Sequence, residues 1–383
     1  MEPTFRSKYD PRLDILRAIA FLLVTIVHFA VPSWTNSVGQ NNILEILSYS
    51  LIETGWLGVP IFLFLSGYSL AIGKVDRGRI NLKNFFINRV LRIYPVWIVV
   101  ILILSFTHHI SGTTVFYLLF LQTQDLPPLT AFNICWSIQL EFVCYLIFPI
   151  LLSLASTQHS PPIKWKGVAF FFAFLLLVRW DMSYIRSITF PLSYGTLFGA
   201  GTIFFAGIIT VSLKPLKPGL IARISLGTGI ILFFGLAVYL SQTGGMYGYS
   251  NPDSTPIHRI FEFFPEIISI IIFLIIRGVL TEKTPSQMPF NFLFKGMIHI
   301  GKVSYSGFVF SMFVLDYVQH EFTQFRIVPN GWLSLTYSFA IYLAVLILFA
   351  TVSFNAIELP FLNLRRSYLT DHSQQHSEPS RQL

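Results

Sequence analysis

Apolar residues in this chain gather into long unbroken runs instead of alternating with polar ones. The runs lie near 13–31, 56–73, 90–106, 136–154, 166–181, 190–212, 221–241, 262–280, 298–319 and 333–356. A hydrocarbon core of about 30 Å is crossed by roughly 20 helical residues. The pattern therefore predicts an all-α, polytopic membrane bundle of about ten transmembrane helices. The run at 166–181 is short, and 298–319 holds several polar residues. Phe, Ile and Leu dominate the runs, while Pro, Asn and Ser punctuate the joins.

Charge adds an orientation. Of the 26 Lys and Arg, all but Arg179, Arg186, Arg259 and Arg326 fall in one set of alternate segments. The positive-inside rule then puts both termini in the cytoplasm. The formal charge of +8 is accounted for as a topology signal and calls for no nucleic-acid partner. Composition agrees: 54% of the 383 residues are hydrophobic and 11% charged, where soluble domains carry about 25% charged residues. An ordinary soluble domain, a disordered chain and a disulfide framework are all excluded. Cys135 and Cys144, nine residues apart, fall about half a turn apart on one helix and cannot bond each other. The first run contains Arg17 and His28 and is followed by no small-residue cleavage site, so it reads as a retained anchor. Residues 1–366 form one transmembrane domain, and 367–383 a polar tail expected to be disordered.

Ionisable groups inside apolar runs are costly, which makes each a candidate for function. Arg17 and His28 are eleven residues apart, about 1100° of helical rotation, and so share one face at roughly 16 Å of separation. Asp14 lies close to the same face. Glu141, five residues into the run that begins Trp136-Ser137, reaches about the same depth below the outer surface as His28. Such a carboxylate would orient the imidazole and raise its basicity, as acid–base catalysis requires. Arg89 and Arg92, three apart, share a face at the cytoplasmic start of the third run, and arginine forks suit phosphate. Other readings stay open: Arg17 snorkelling to headgroups and pairing with Asp14, His28 as a packing histidine, Glu141 in a structural ion pair, and the arginines as topology signals. Adjacent His108 and His109 point apart on a helix and do not make a metal pair.

In order, these segments resemble membrane-bound acyltransferase family 3, the O-antigen acetyltransferase type. The matching stretches are Arg12-Leu13-Asp14 through Arg17 to His28, then Phe64-Leu65-Ser66-Gly67-Tyr68, then Arg89 and Arg92 with Ile93-Tyr94-Pro95. Trp136-Ser137 through Glu141 to Tyr145 and Pro149 follow, then Gly301-Lys302-Val303-Ser304-Tyr305-Ser306 and Glu358-Leu359-Pro360. The resemblance implies about ten spans and transfer of an acyl group, usually acetyl, from cytoplasmic acyl-CoA to a carbohydrate hydroxyl. It implies His28 as the essential catalytic residue and Arg17, Arg89 and Arg92 as the donor region, in a bacterial cytoplasmic (inner) membrane. Ser311 stands where many members carry a late histidine, so no catalytic role passes to that position.

The combined expectation is an O-acetyltransferase with acetyl-CoA as co-substrate, no tightly bound cofactor and no metal. His28 and Glu141 are its catalytic residues; Arg17, Arg89 and Arg92 hold the donor, and Trp136, Ser137 and Asp14 contact substrate. An acyl-histidine intermediate is also compatible with these residues. The partners are acyl-CoA, a carbohydrate or glycolipid acceptor and the lipid bilayer. Two other classes fit the same features: a polysaccharide exporter or flippase, and a subunit that hands acyl groups to a separate transferase.

Overall fold

Asp10 starts the first helix. Its carboxylate accepts the backbone N–H of Arg12 at 3.0 Å and Arg12 Nε at 2.9 Å, and Pro11 takes the first helical position, where no N–H is needed. Helix α1 spans Pro11–Trp34, and a 3₁₀ turn, Thr54–Leu57, runs into α2 at Gly58–Ala71. There follow α3 (Leu82–His108), α4 (Trp136–Ala155), α5 (Pro161–Trp180), α6 (Gly201–Ser212) and α7 (Leu220–Gln242). Next come α8 (Phe264–Thr281), α9 (Asn291–Gln324), α10 (Trp332–Ser353), a π-helical turn (Phe354–Glu358) and the short α11 (Leu359–Leu362). The computed structural model describes residues 10–34, 50, 52, 54–72, 74–75, 80–108, 136–156, 161–181, 196–214, 216–242, 263–281, 291–324 and 332–365. Cys135, His109, residues 190–195 and the tail at 367–383 lie outside the described residues.

A helix occupies each of the ten apolar runs. Among the described residues, 7 helices are long and apolar enough to cross a membrane: α2 with its 3₁₀ turn, α3, α4, α7, α8, α9 and α10. Their outward faces suit lipid. Ile150 on α4, Ile231 on α7 and Leu348 on α10 are large apolar side chains left open, a pattern that water penalises and hydrocarbon does not. The chain is a polytopic helical membrane protein.

Lipid gives helices little hydrophobic reason to associate, so small residues that let backbones touch carry the packing. A Cβ at Gly67 would stand 2.0 Å from the carbonyl oxygen of Phe204, and one at Gly207 2.2 Å from that of Phe64. Helices α2 and α6 therefore cross backbone to backbone. Gly301 makes the same approach to Asp14, where a Cβ would come within 1.9 Å of the carbonyl oxygen, seating α9 on α1. Around these crossings Phe64, Trp97, Phe148 and Phe204 are fully buried. Helix α2 packs against α1, α4, α6 and α8, which makes it the central element.

Gly67→Ala is expected to lower the thermal unfolding midpoint of the detergent-solubilised protein, reflecting an overpacking cost of about 1–3 kcal/mol or more. Gly227→Ala, whose Cβ meets nothing within 4 Å, serves as the comparison and should not lower it. Equal midpoints for the two variants would contradict the α2–α6 crossing.

Candidate active site

The interior of the bundle collects charge from α1, α3, α4 and the π-helical turn. On α1, Asp14 accepts from Arg17 Nη1 at 2.7 Å one helical turn away, and Arg17 Nη2 donates to Ser69 Oγ on α2 at 2.8 Å. On α3, Arg92 forms an ion pair of 2.7 Å with Glu358, which is fully buried. The other oxygen of Glu358 accepts from Ser306 Oγ on α9 at 3.0 Å. The π-helical turn ends on Glu358; such widened turns recur where a side chain must be re-aimed. The Arg92 guanidinium also stands 5.5 Å from the ring centre of Tyr305, whose hydroxyl donates to the Ile93 carbonyl at 2.9 Å. Arg89, one turn earlier on α3, rests against the rings of Phe85 and Tyr145 at 5.7 and 5.4 Å, within cation–π range.

Glu141 on α4 is the centre of a second group. Its Oε1 accepts from Ser66 Oγ at 2.6 Å and also from the Tyr145 hydroxyl, and the two hydroxyl oxygens are 3.0 Å apart. Tyr145 is one turn along the same helix, and Ser66 faces Glu141 from α2.

Both groups border one cavity of about 340 Å³. Arg17, Arg89, Arg92 and Arg365 reach it, as do Ser66, Glu141, Tyr145 and Ser137. On α2 its wall runs from Val59 to Leu70, about 16 Å of helical rise. The space thus follows α2, and guanidinium, hydroxyl and carboxylate groups share its wall. A long, thin ligand with an anionic head matches that shape.

Five of the residues singled out from the sequence converge here: Arg17, Arg89, Arg92, Ser137 and Glu141. Asp14 is buried against Arg17 and does not line the cavity. Trp136 packs on the hydrophobic core and is likewise off the wall. His28 is also not a lining residue, and its Nδ1 is buried without a hydrogen-bond partner. The expected pairing of His28 with Glu141 is not formed. Matched depth does not set direction around the bundle, and Glu141 turns to Tyr145 on its own helix and to Ser66 on the adjacent α2. Ser311, at the late-histidine position, donates to the Phe308 carbonyl at 2.8 Å. Its own carbonyl accepts from the Tyr342 hydroxyl at 3.1 Å, so it serves helix packing. Arg179 forms an ion pair of 2.5 Å with Glu266 and ties α5 to α8. Ser66, Tyr145 and Glu358 stand in the matching stretches and Arg365 among the flanking charges, but none of the four is singled out by the sequence as a site residue. For Tyr145 the signal was its spacing of four from Glu141; for Glu358 it was an acid closing an apolar run.

A membrane bundle with an arginine-lined cavity beside a hydroxyl–carboxylate group suits an anionic ligand, and known proteins narrow the class. A family model described as an acyltransferase domain matches residues 10–354; the chain belongs to this family, acyltransferase family 3. A provisionally named acetyltransferase of Acidianus two-tailed virus is 31% identical over 161 residues, covering 40% of this chain and 44% of its own. A provisionally named O-acetyltransferase of Staphylococcus aureus strain MRSA252 is 25% identical over 403 residues, covering 95% of this chain and 60% of its own. The O-acetyltransferase OatA of Staphylococcus aureus strain NCTC 8325 is 24% identical over 389 residues, covering 94% and 58% respectively. The chain thus spans about half the length of the curated relatives it matches. No solved structure matches it significantly.

The Arg92–Glu358 pair yields a stability test. Arg92→Met alone should destabilise the protein by about 3–5 kcal/mol, because it strands a buried carboxylate, whereas the double variant Arg92→Met/Glu358→Met should recover much of that loss. Thermal unfolding of the three proteins in one detergent checks this; additive losses would contradict the pairing.

Proposed function

We propose that this chain is a membrane O-acyltransferase that moves an acetyl or other short acyl group from cytoplasmic acyl-CoA to a hydroxyl of an extracytoplasmic carbohydrate, such as O-antigen, capsule or exopolysaccharide. One observation carries the reading: a cavity that borders α2 from Val59 to Leu70, with four guanidinium groups and a hydroxyl–carboxylate group on its wall. Coenzyme A has a phosphorylated head and a long thin arm that ends in the thioester. Arg17, Arg89 and Arg92 suit the phosphates, and the arm follows α2 past Ser66 and Glu141 toward Ser137. The excess of Lys and Arg in alternate segments supports a cytoplasmic position for these arginines, in a bacterial inner membrane. Family membership and the names of the relatives support acyl transfer as the chemistry.

In this reading His28 is the base. It removes the proton of the acceptor hydroxyl as that oxygen attacks the thioester carbonyl; the carbon–sulfur bond breaks, and the proton passes from His28 to the thiolate. The bare, buried Nδ1 of His28 supports the role, since no neighbour competes for it. His28 lies beyond the cavity wall, so acceptor and thioester meet at the end of the cavity nearest the C-terminal part of α1. Glu141 acts through Ser66 and Tyr145, holding the two hydroxyls that border the path of the arm. A second reading has the chain pass acyl groups to a separate transferase; the position of His28 off the cavity wall supports it.

Purified protein in nanodiscs, given radiolabelled acetyl-CoA and a soluble oligosaccharide, is expected to label the sugar. His28→Ala should abolish labelling while the protein stays folded, and Glu141→Gln should reduce it by about 10²-fold or more. Full labelling by folded His28→Ala would remove the mechanism. Label that reaches the chain but never the sugar would favour the donor-handling reading.

A further inference from the structure

Four arginines reach the cavity, and two of them are neutralised by a carboxylate. Arg17 has Asp14 at 2.7 Å and Arg92 has Glu358 at 2.7 Å. Glu141, the carboxylate on the cavity wall, is bound by two hydroxyls, and among the described residues no ion pair joins it to an arginine. Arg89 meets aromatic rings instead of an acid, and its Nε is buried with no hydrogen-bond partner. Arg365, just past α11, has buried Nε and Nη2 atoms that also have none. Burial and the charges of Arg92 and Arg89 hold the Arg365 guanidinium down to about 10. That crowding of cations is what an incoming anion would relieve. Arg365 also lies beyond residue 354, where the match to the family ends.

Two guanidinium forks with unused buried donors suit a ligand that carries more than one negative charge on one group. A phosphate monoester carries about −1.5 to −2 near neutral pH and accepts from such forks bidentately. A phosphodiester lipid headgroup carries a single charge. We propose that Arg89 and Arg365 form a subsite for a phosphate monoester, occupied by the terminal 3′-phosphate of coenzyme A. Arg17 and Arg92, already paired, then shape the cavity wall more than they supply net charge. This inference rests on the donor proposed above and locates its most charged group.

The full-length protein in phosphatidylcholine nanodiscs is titrated calorimetrically with coenzyme A and with 3′-dephospho-coenzyme A. The wild type should prefer coenzyme A by about tenfold or more, the scale of charge-assisted hydrogen bonds. Arg365→Gln should bring that ratio close to one, with dephospho-coenzyme A binding nearly as before, and Arg89→Gln should lower the ratio likewise. Arg365→Lys, which keeps the charge but loses the fork, should retain part of the preference, and thermal unfolding identifies any variant that fails to fold. A folded Arg365→Gln protein with the full wild-type ratio overturns the subsite while leaving the acyltransfer reading intact. Competition by phosphatidylglycerol added to the nanodiscs would give the site to a headgroup phosphate and overturn the assignment to coenzyme A. A wild type that shows the preference yet transfers no acetyl group keeps the subsite and removes the proposed function instead.

Discussion

A guanidinium buried among apolar helices must find something to answer its charge, because a stranded ion in a low-dielectric interior costs several kcal/mol. Much of this bundle is arranged around that requirement. Arg17 is answered within its own helix by Asp14 and across α2 by Ser69. Arg92 is answered by Glu358, brought from far along the chain by a π-helical turn. Arg89 has the faces of two aromatic rings. The cavity is the remaining way of accommodating positive charge, since it leaves room for a ligand to supply the anion.

The backbone crossings make that arrangement possible. Gly67 and Gly207 bring α2 against α6, and Gly301 brings α9 against α1. With α2 held at the centre, Ser66 and Ser69 project from one helix toward two different groups, the Glu141 cluster and the Arg17 pair. A side chain in place of any of these glycines would push the helices apart and open hydrogen bonds whose partners sit on different elements. Packing and chemistry are thus coupled through the same few contacts.

The helices were legible in the chain because long apolar runs admit few solutions other than spanning helices. The convergence of Arg17, Arg89, Arg92 and Glu141 on one cavity was legible for a related reason: ionisable groups in such runs turn inward. The His28–Glu141 pairing failed as an expectation because helical rise fixes depth but not which neighbour a residue faces. The local partner, Tyr145, was a better guide than the matched depth of a residue on another helix. Glu358 and Arg365 were obscure because their partners are distant in sequence and Arg365 reads there only as a basic flank. Asp14 belongs to the arginine beside it, and Ser311 to the packing of α9 against α10.

The central claim is that the elongated cavity is the seat of the acyl donor. A structure of the protein bound to a non-hydrolysable thioether analogue of acetyl-CoA tests it most directly. Ligand density is expected with its phosphates among the arginines, its arm along α2 between Leu70 and Val59, and its acyl end beyond Glu141 toward His28. Density for the analogue outside the cavity, or with its phosphates at the Ser137 end, would contradict it.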